Sequence, residues 1–405
     1  MQFAIPNLRH LRVFLEVAKH SSISKAAPQV FLSQPAITQA IGKLETLLEA
    51  KLFERHSNGM FTTPAGKIWR TRALRCVDHL EQGTRAALRG SPGQSRTTAL
   101  LPLLTTTQLR ALIAVTENRS FSVASRQLEL SQSSLHRASR ELEELLGVTL
   151  FEKARSSIMP TRAAEQLSRA AKLAFGEIDQ GYYEISALLS REVGTVIIGS
   201  MPLARTSILP DVINRFTLTH PDIGLDVVDA PYNDLLFHLR NGDLDLLIGA
   251  LRFPPPTDDI IQEELIAPPL AIVGRKDHPL HQTESLELEQ LVDYGWVVPR
   301  KGTPTRTFFD TLFTDRGLPT PRRLVETSSQ ILIRTLLNGS DRLTLISTHQ
   351  VEQELRQNIL SVIPYDLSHT GRPIGITVRR DWHPTSTQKH FLDLLKDAAS
   401  QYQGR

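Results

Sequence analysis

The sequence predicts a multidomain chain: two copies of a small all-α, winged-helix module, each followed by a long linker helix, and then a two-lobed α/β domain. Three observations predict it. A stretch of about 56 residues recurs at an offset of 98, so that Leu11-Arg12 returns as Leu109-Arg110, Ser33-Gln34 as Ser131-Gln132, and Leu52-Phe53-Glu54 as Leu150-Phe151-Glu152. About a third of the aligned positions are identical without insertion, against roughly one in sixteen for unrelated segments, which marks a duplicated module. Each copy runs on into one apolar seam at helical spacing, and from Gly194 the pattern changes to short β-rich runs alternating with helices.

A length of 405 residues, 40% of them apolar, suggests about three domains. The single cysteine, Cys76, excludes an internal disulfide and reads as a core thiol; without Cys/His spacing for zinc, no metal or cofactor is expected. The first residues lack a signal-like apolar run and no stretch of about 18 apolar residues follows, so the expectation is no membrane partner and a cytoplasmic location. Charge is unevenly distributed. Residues 1–98 carry 14 Lys and Arg against 6 Asp and Glu, residues 99–192 carry 11 against 11, and residues 193–405 carry 21 against 26. A polyanion is therefore drawn to the first third of the chain.

In the first copy Leu11, Phe14, Leu15, Val17 and Ala18 recur at helical spacing, and Ser24 is expected to cap a second helix through Ala27 to Val30. Ser33 is placed to cap a third, with Pro35 early, where its missing N–H costs nothing, and Ile37, Ile41, Leu44 and Leu48 as the buried stripe. Ser33, Gln34, Pro35, Thr38 and Gln39 then face outward. Two short helices with such a polar second face describe a major-groove reader. Leu52-Phe53 begins a strand, and Arg55 to Thr62, turning at Asn58-Gly59, makes a wing whose Arg55 reaches phosphate.

These residues also carry a family resemblance. Ser24, Ala26-Ala27, Leu32-Ser33-Gln34-Pro35-Ala36-Ile37-Thr38, Leu44-Glu45, Leu52-Phe53-Glu54-Arg55 and Thr63-Pro64-Ala65-Gly66 resemble the DNA-binding signature of LysR-type transcriptional regulators. Two departures stand out: Pro28 falls inside the second helix and should shorten or bend it, and Glu49 stands where the second copy has a helix-ending Gly147. The second copy replaces the reader face by Gln132, Ser133, His136 and Arg137, followed by Arg140. With Glu141, Glu143 and Glu144 crowding its helix end, it is either a second reader or a structural relic, and Arg137 and Arg140 are either base contacts or solvated helix charges.

Beyond each wing, Trp69, Ala73, Val77 and Leu80 align with Leu167, Ala171, Phe175 and Ile178 along an apolar seam that a small module cannot bury alone. In the resembled family this helix pairs antiparallel with its counterpart in a second chain. Here two such helices lie in one chain, and pairing within the chain is weighed against pairing between chains. The expected domains are 1–90 and 106–190, each a module with its linker helix, a flexible linker at 91–105, and a distal domain at 193–405.

The distal runs, Val196 to Gly199, Leu225 to Val228, Leu246 to Gly249, Leu270 to Gly274, Trp296 to Val298, Leu324 to Glu326, Leu343 to Ile346 and Ile374 to Val378, alternate with helices and imply a largely parallel sheet arrangement. Leu209-Pro210, Phe216, His220-Pro221, Gly242-Asp243-Leu244-Asp245 and His278-Pro279-Leu280 resemble the family's effector-binding domain, which is periplasmic-binding-protein-like. The resemblance implies lobe I at 193–266 and 369–400, and lobe II at 267–368. Strand ends and helix starts between such lobes hold ligands. Ser200, Met201, Arg300, Thr303, Ser329 and Ser347 stand at such places and Tyr232 near one; the hydroxyls and the basic Arg300-Lys301 favour a small anion such as a carboxylate. Each hydroxyl also reads as a plain helix cap, and Tyr232 as a packing residue.

No G-x-S-x-G, H-E-x-x-H, P-loop or dinucleotide motif is present, and Asp381-Trp382-His383 reads as a loop, so an enzyme is not expected. The resulting expectation is a sequence-specific regulator of double-stranded DNA controlled by a small-molecule effector. It is expected to be a homo-oligomer, a dimer in first place, with RNA polymerase as a further candidate partner. The alternative is a ligand-independent architectural DNA-binding protein whose distal half only oligomerises. If the linker helices pair within the chain, residues 100–405 alone should lose about tenfold or more in operator affinity along with one reader; a gel-shift and footprint unchanged from the full chain would rule this pairing out.

Overall fold

The computed structural model describes residues 4–91, 94–155, 157–206 and 208–403, so residues 92 and 93 of the expected linker and 1–3 of the first domain lie outside the described residues. It divides into two compact units, residues 1–194 with 222–224, and residues 195–221 with 225–405.

The first unit opens with α1 (Leu8–His20), α2 (Ile23–Val30) and α3 (Gln34–Leu48), then the hairpin β1 (Phe53–His56) and β2 (Gly59–Thr62), and α4 (Pro64–Ala87). After α5 (Thr97–Leu100) the order repeats as α6 (Thr106–Asn118), α7 (Phe121–Gln127), α8 (Gln132–Leu146), β3 (Phe151–Lys153), β4 (Ile158–Pro160) and α9 (Arg162–Leu188). Leu11, Phe14, Val17, Ala26, Ile37, Ile41 and Leu44 close the first three-helix core, and Ala111, Ala114, Val115, Phe121, Ala124, Leu135 and Ala138 the second.

Local chemistry corrects several expectations. Ser22, in extended backbone, caps α2 through Lys25 N, where Ser24 was expected, and its image Ser120 caps α7 through Val123 N. Pro28 does not shorten α2, which runs on to Val30; the carbonyl that proline leaves unbonded belongs to exposed Ser24, where solvent access makes the lost bond cheap. Ser33 is the N-cap of α3 but makes no side-chain cap bond, because Pro35 removes one of the N–H groups that a cap accepts from. Its image Ser131 does accept from Ser134 N. Glu49 adopts the same left-handed cap as Gly147, at φ 51° against 68°, and its carboxylate pairs with Arg191. The β1–β2 loop is Ser57-Asn58, because His56 pairs with Gly59 across the strands.

The expected flexible linker is largely helical. Short 3₁₀ turns at Gln94–Arg96 and Leu101–Leu103 flank α5, and Leu100, Leu101 and Leu104 are buried in the first module's core. Arg12 donates to the Leu101 carbonyl, which fastens α1 to this segment, and Thr106 Oγ1 donates to Pro6 O at 3.0 Å, which ties the start of α6 to the chain ahead of α1.

Helices α4 and α9 pack on each other within the chain and run antiparallel: Gly181 lies on Trp69 and Arg72, and Gly83 lies on Ala170. Residues 83 and 181 are images under the offset, as are 72 and 170, so the pair has a local two-fold relation. A Cβ on Gly83 would collide with that of Ala170, and one on Gly181 would come within 3.1 Å of the Trp69 ring, so glycine sets the close approach in both halves. Along this seam Arg72, 1% exposed, donates to Glu177 at 2.8 Å, Gln180 at 2.7 Å and Glu184 at 2.8 and 2.9 Å. Arg75 donates to the second Glu177 oxygen at 2.7 Å. Burial alone raises the Glu177 carboxyl, but hydrogen bonds from His79 and Arg72 and the charges of Arg72 and Arg75 override it and hold the group down to about 2. Cys76 lies in the same seam, where burial and the nearby Glu177 push its thiol up to about 12. It is a packing residue.

In the second unit β5 (Thr195–Ser200), α10 (Ile208–Thr219), β6 (Gly224–Asp229), α11 (Tyr232–Asn241), β7 (Leu246–Ala250) and β8 (Ile260–Ile266) come first. Then follow β9 (Leu270–Arg275), α12 (Leu288–Leu291), β10 (Trp296–Val298), α13 (Pro304–Thr314), β11 (Leu324–Glu326), α14 (Gln330–Asn338), β12 (Leu343–Ser347), α15 (Glu352–Arg356) and β13 (Leu360–Val362). The chain returns through β14 (Ile374–Arg379) and α16 (Ser386–Gln403). Among the described residues one sheet has the order β6-β5-β7-β14-β8 and the other β11-β10-β12-β9-β13. The largely parallel expectation is corrected: β14 runs antiparallel to β7 and β8, and β9 antiparallel to β12 and β13, so both sheets are mixed. The strands that sequence reading missed, β8 and β13, sit at sheet edges with exposed alternate residues, where the apolar signal is weakest.

Arg72→Ala should destabilise the first unit by about 3 kcal/mol, because it removes the main partner of a buried carboxylate; calorimetric unfolding checks this. The Glu177 contribution is present above its ordinary value of 4.5 and should be lost as pH falls from there toward 2, so the wild-type and Arg72→Ala transitions should converge at acid pH.

Candidate nucleic-acid interface and effector cleft

On α3, the buried stripe Ile37, Ile41 and Leu44 turns Gln34, Pro35, Thr38 and Gln39 to solvent, and Ser33 is exposed with them. Thr38 Oγ1 donates to Gln34 O at 3.0 Å, which fixes the hydroxyl and leaves its oxygen able to accept. Exposed Arg55 lies on β1, in the wing. Reader and wing are joined by a side chain whose role the sequence reading left unassigned: Glu45 accepts from Leu52 N at 2.9 Å, and its image Glu143 accepts from Leu150 N at 2.7 Å and Phe151 N at 3.1 Å. The wing is fastened to the helix pair by Met60 N to Ser21 O at 2.9 Å, and in the second copy by Ile158 N to Arg119 O at 3.0 Å. The shared spacing of the two copies was the signal that could have found these ties.

The second reader keeps the frame with different chemistry. Gln132, Ser133 and Arg137 are exposed, while His136 is half-buried and stacks on Phe121 at 3.8 Å between ring centroids. Arg137 lies 3.7 Å from Glu141, an exposed pair that contributes little.

In the distal unit the sequence-selected residues divide. Tyr232 begins α11 and lies under the Arg252 guanidinium, 4.7 Å from centroid to Cζ, while Met201 packs on Gly249 of β7. Thr303 caps α13 through Arg306 N at 3.3 Å and donates to Arg300 O at 3.0 Å. Ser329 caps α14, and buried Ser347 and Ser200 direct their hydroxyls at the carbonyls of Pro269, at 3.4 Å, and Met201, at 3.5 Å. Several hydroxyls are thus engaged by their own backbone, and nothing in the hydrogen bonding draws exposed Arg300 and Ser329 toward Tyr232.

Sequence reading missed two arginines here. Arg252 follows β7, and its buried Nη1 has no hydrogen-bond partner among the described residues. Burial lowers its pKa. Arg372, just before β14, donates to Pro304 O at 3.0 Å, covers the Phe308 ring at 5.5 Å, and is lowered first by burial and then by the charge of Arg252. Arg252 and Arg372 thus lie near each other, between the first sheet and the start of α13. Neither carries a local motif, which is why spacing could not reveal them. Arg306, 4% exposed, holds α13 to β11 by donating to Asp310 at 2.9 Å and Glu326 at 2.6 Å.

Winged helix-turn-helix readers joined in one chain to a two-lobed ligand-binding domain define a class of transcription regulator. The family model described as bacterial regulatory helix-turn-helix protein, lysR family, matches residues 8–67 and again 106–165, and the LysR substrate binding domain matches residues 190–400. The chain therefore belongs to the LysR family of transcriptional regulators, with its DNA-binding module duplicated. It is not an enzyme. It is 34% identical to the HTH-type transcriptional regulator GalR of Pseudomonas putida over 375 residues, 93% of each chain. It is 27% identical to PcaQ of Agrobacterium fabrum over 298 residues, 96% of that protein but 73% of this chain. The GalR match leaves too little of either protein aside to omit a module, whereas the PcaQ match leaves room for one. A full-length OxyR variant of Pseudomonas aeruginosa shares the fold at a TM-score of 0.54 and 21% identity, over 73% of this chain and 94% of that one. CbnR complexed with its target DNA does so at 0.50 and 18%, over 72% and 98%. LysR regulators bind DNA and small-molecule effectors and form oligomers.

If α3 reads bases, Gln34→Ala and Thr38→Ala should each remove about 1–3 kcal/mol of discrimination between operator and random duplex. Arg55→Ala should weaken both alike and reduce the salt slope by about 1, as read by fluorescence anisotropy across salt concentrations.

Proposed function

We propose that the chain is a metabolite-controlled regulator in which α3 and α8, paired through α4 and α9, act as the two major-groove readers of one polypeptide. Ser33, Gln34, Pro35, Thr38 and Gln39 on the first, and Gln132, Ser133, His136 and Arg137 on the second, meet base edges, while Arg55 meets phosphate. A chain dimer then carries four readers and two sensors.

We further infer that the effector is a small anion such as a carboxylate, held between the lobes. The observation that carries this is Arg252, whose buried guanidinium nitrogen lacks an acceptor beside Arg372. A carboxylate supplies two oxygens in the geometry a guanidinium recognises. Tyr232 and Met201 would wall the site from the first lobe, with Ser200, Thr303 and Ser347 at its strand ends and helix start, whereas Arg300 and Ser329 would stand at its rim. Control follows from linkage: an effector that binds one arrangement of the lobes more tightly shifts the population toward it and changes how chains pair on DNA.

A panel of small carboxylates screened by thermal shift should contain one that stabilises the wild-type chain, by about 2.7 kcal/mol at a hundredfold excess over Kd, and fails to stabilise Arg252→Ala. Operator binding indifferent to every member of the panel, with no stabilisation, would leave the architectural reading instead.

A further inference from the structure

We propose that the two readers of one chain recognise different half-sites, so that the pair of half-sites bound by one chain is directional rather than palindromic: one half read by α3 is rich in A·T pairs, and the other, read by α8, contains guanine. This rests on the reading that α3 and α8 both enter major grooves.

The pairing of α4 with α9 is chemically specified as a pair of unlike helices. The images of Glu177, Gln180 and Glu184 in the first copy are His79, Gln82 and Ala86, and the image of Arg72 in the second copy is Ala170. Two copies of α4 pairing across chains would bury Arg72 opposite no carboxylate. Two copies of α9 would bury Glu177 opposite no cation. Only the unlike pair completes the cluster in which Arg72 meets both glutamates. Uncompensated burial of charge works against the like pairs. One two-reader unit therefore contains one reader of each kind.

The readers differ where a groove is read. Gln34 and Gln132 are shared, but Gln39 is replaced by Arg137 and Gly42 by Arg140, all of them exposed. An amide pairs with the N6 and N7 of adenine, and the methyl of Thr38 and the ring of Pro35 suit the thymine methyl. A guanidinium pairs with the O6 and N7 of guanine. Ser133, His136, Arg137 and Arg140 line one groove together with Glu141 and Glu144. Stacking on Phe121 fixes the His136 ring, whereas the exposed Arg137–Glu141 pair leaves the guanidinium able to turn to a base.

Backbone attraction is unequal as well. Exposed Lys25, Lys43 and Lys67 of the first module become Val123, Glu141 and Glu165 in the second, and residues 8–67 carry eight Lys and Arg against four Glu, residues 106–165 eight against seven. The first reader therefore supplies most of the phosphate neutralisation.

The test is selection from a random duplex library by the full chain, followed by the same selection with Arg137→Gln and Gln39→Arg. The expected result is a directional two-half-site unit, present once or repeated for a second chain, in which Arg137→Gln reduces the preference for guanine about tenfold in one half of each unit only, and Gln39→Arg introduces guanine in the other half only. A two-half-site unit whose own halves are identical inverted repeats, or variants that alter both halves of the unit alike or neither, would overturn the half-site assignment while leaving the regulator intact. Enrichment of no sequence at all would overturn the DNA-reading role itself.

Discussion

The antiparallel pairing of α4 and α9 is the constraint on which the first unit depends. Each helix carries an apolar seam too long for its own module to cover, and each finds the other within the same chain. Trp69, Ala73, Cys76 and Leu80 from one side and Leu167, Ala171, Ala174 and Ile178 from the other are buried together, and glycines at 83 and 181 let the backbones approach. The free energy is chiefly hydrophobic, and the charged cluster around Arg72 contributes registry more than net stability.

That pairing changes the arithmetic of assembly. In a chain with one module, joining two readers takes two polypeptides and depends on concentration. Here the second module is tethered, and the segment between the modules is itself ordered by α5 and by the burial of Leu100, Leu101 and Leu104. Tethering replaces an encounter by an intramolecular contact at high effective concentration. It also frees the two readers to diverge, since no symmetry operation then forces them to be alike. Preserved ties such as Glu45 and Glu143 beside altered outer faces on α3 and α8 are the pattern such freedom leaves.

The distal unit applies a different principle. Its two mixed sheets put strand ends and helix starts near one another, and the chain passes between the sheets before β9 and again before β14. Arg252 and Arg372 stand at or near these crossings. Each is partly buried, and burial lowers the pKa of each.

By itself the sequence determined whatever is local or repeated: the duplication, the helices with their outward faces, the wing, and the alternation of strands and helices, because periodicity and fixed offset are properties of the chain. Caps were determined less well, as Ser22 in place of Ser24 shows, since several serines compete for one role and backbone geometry picks between them. Only the tertiary structure decided which seams meet, that Arg72 reaches residues more than a hundred positions away, that edge strands β8 and β13 exist, and that Arg252 lies near Arg372. Those outcomes depend on burial, and burial is set by what the rest of the chain brings to a side chain, not by the neighbours it has in sequence.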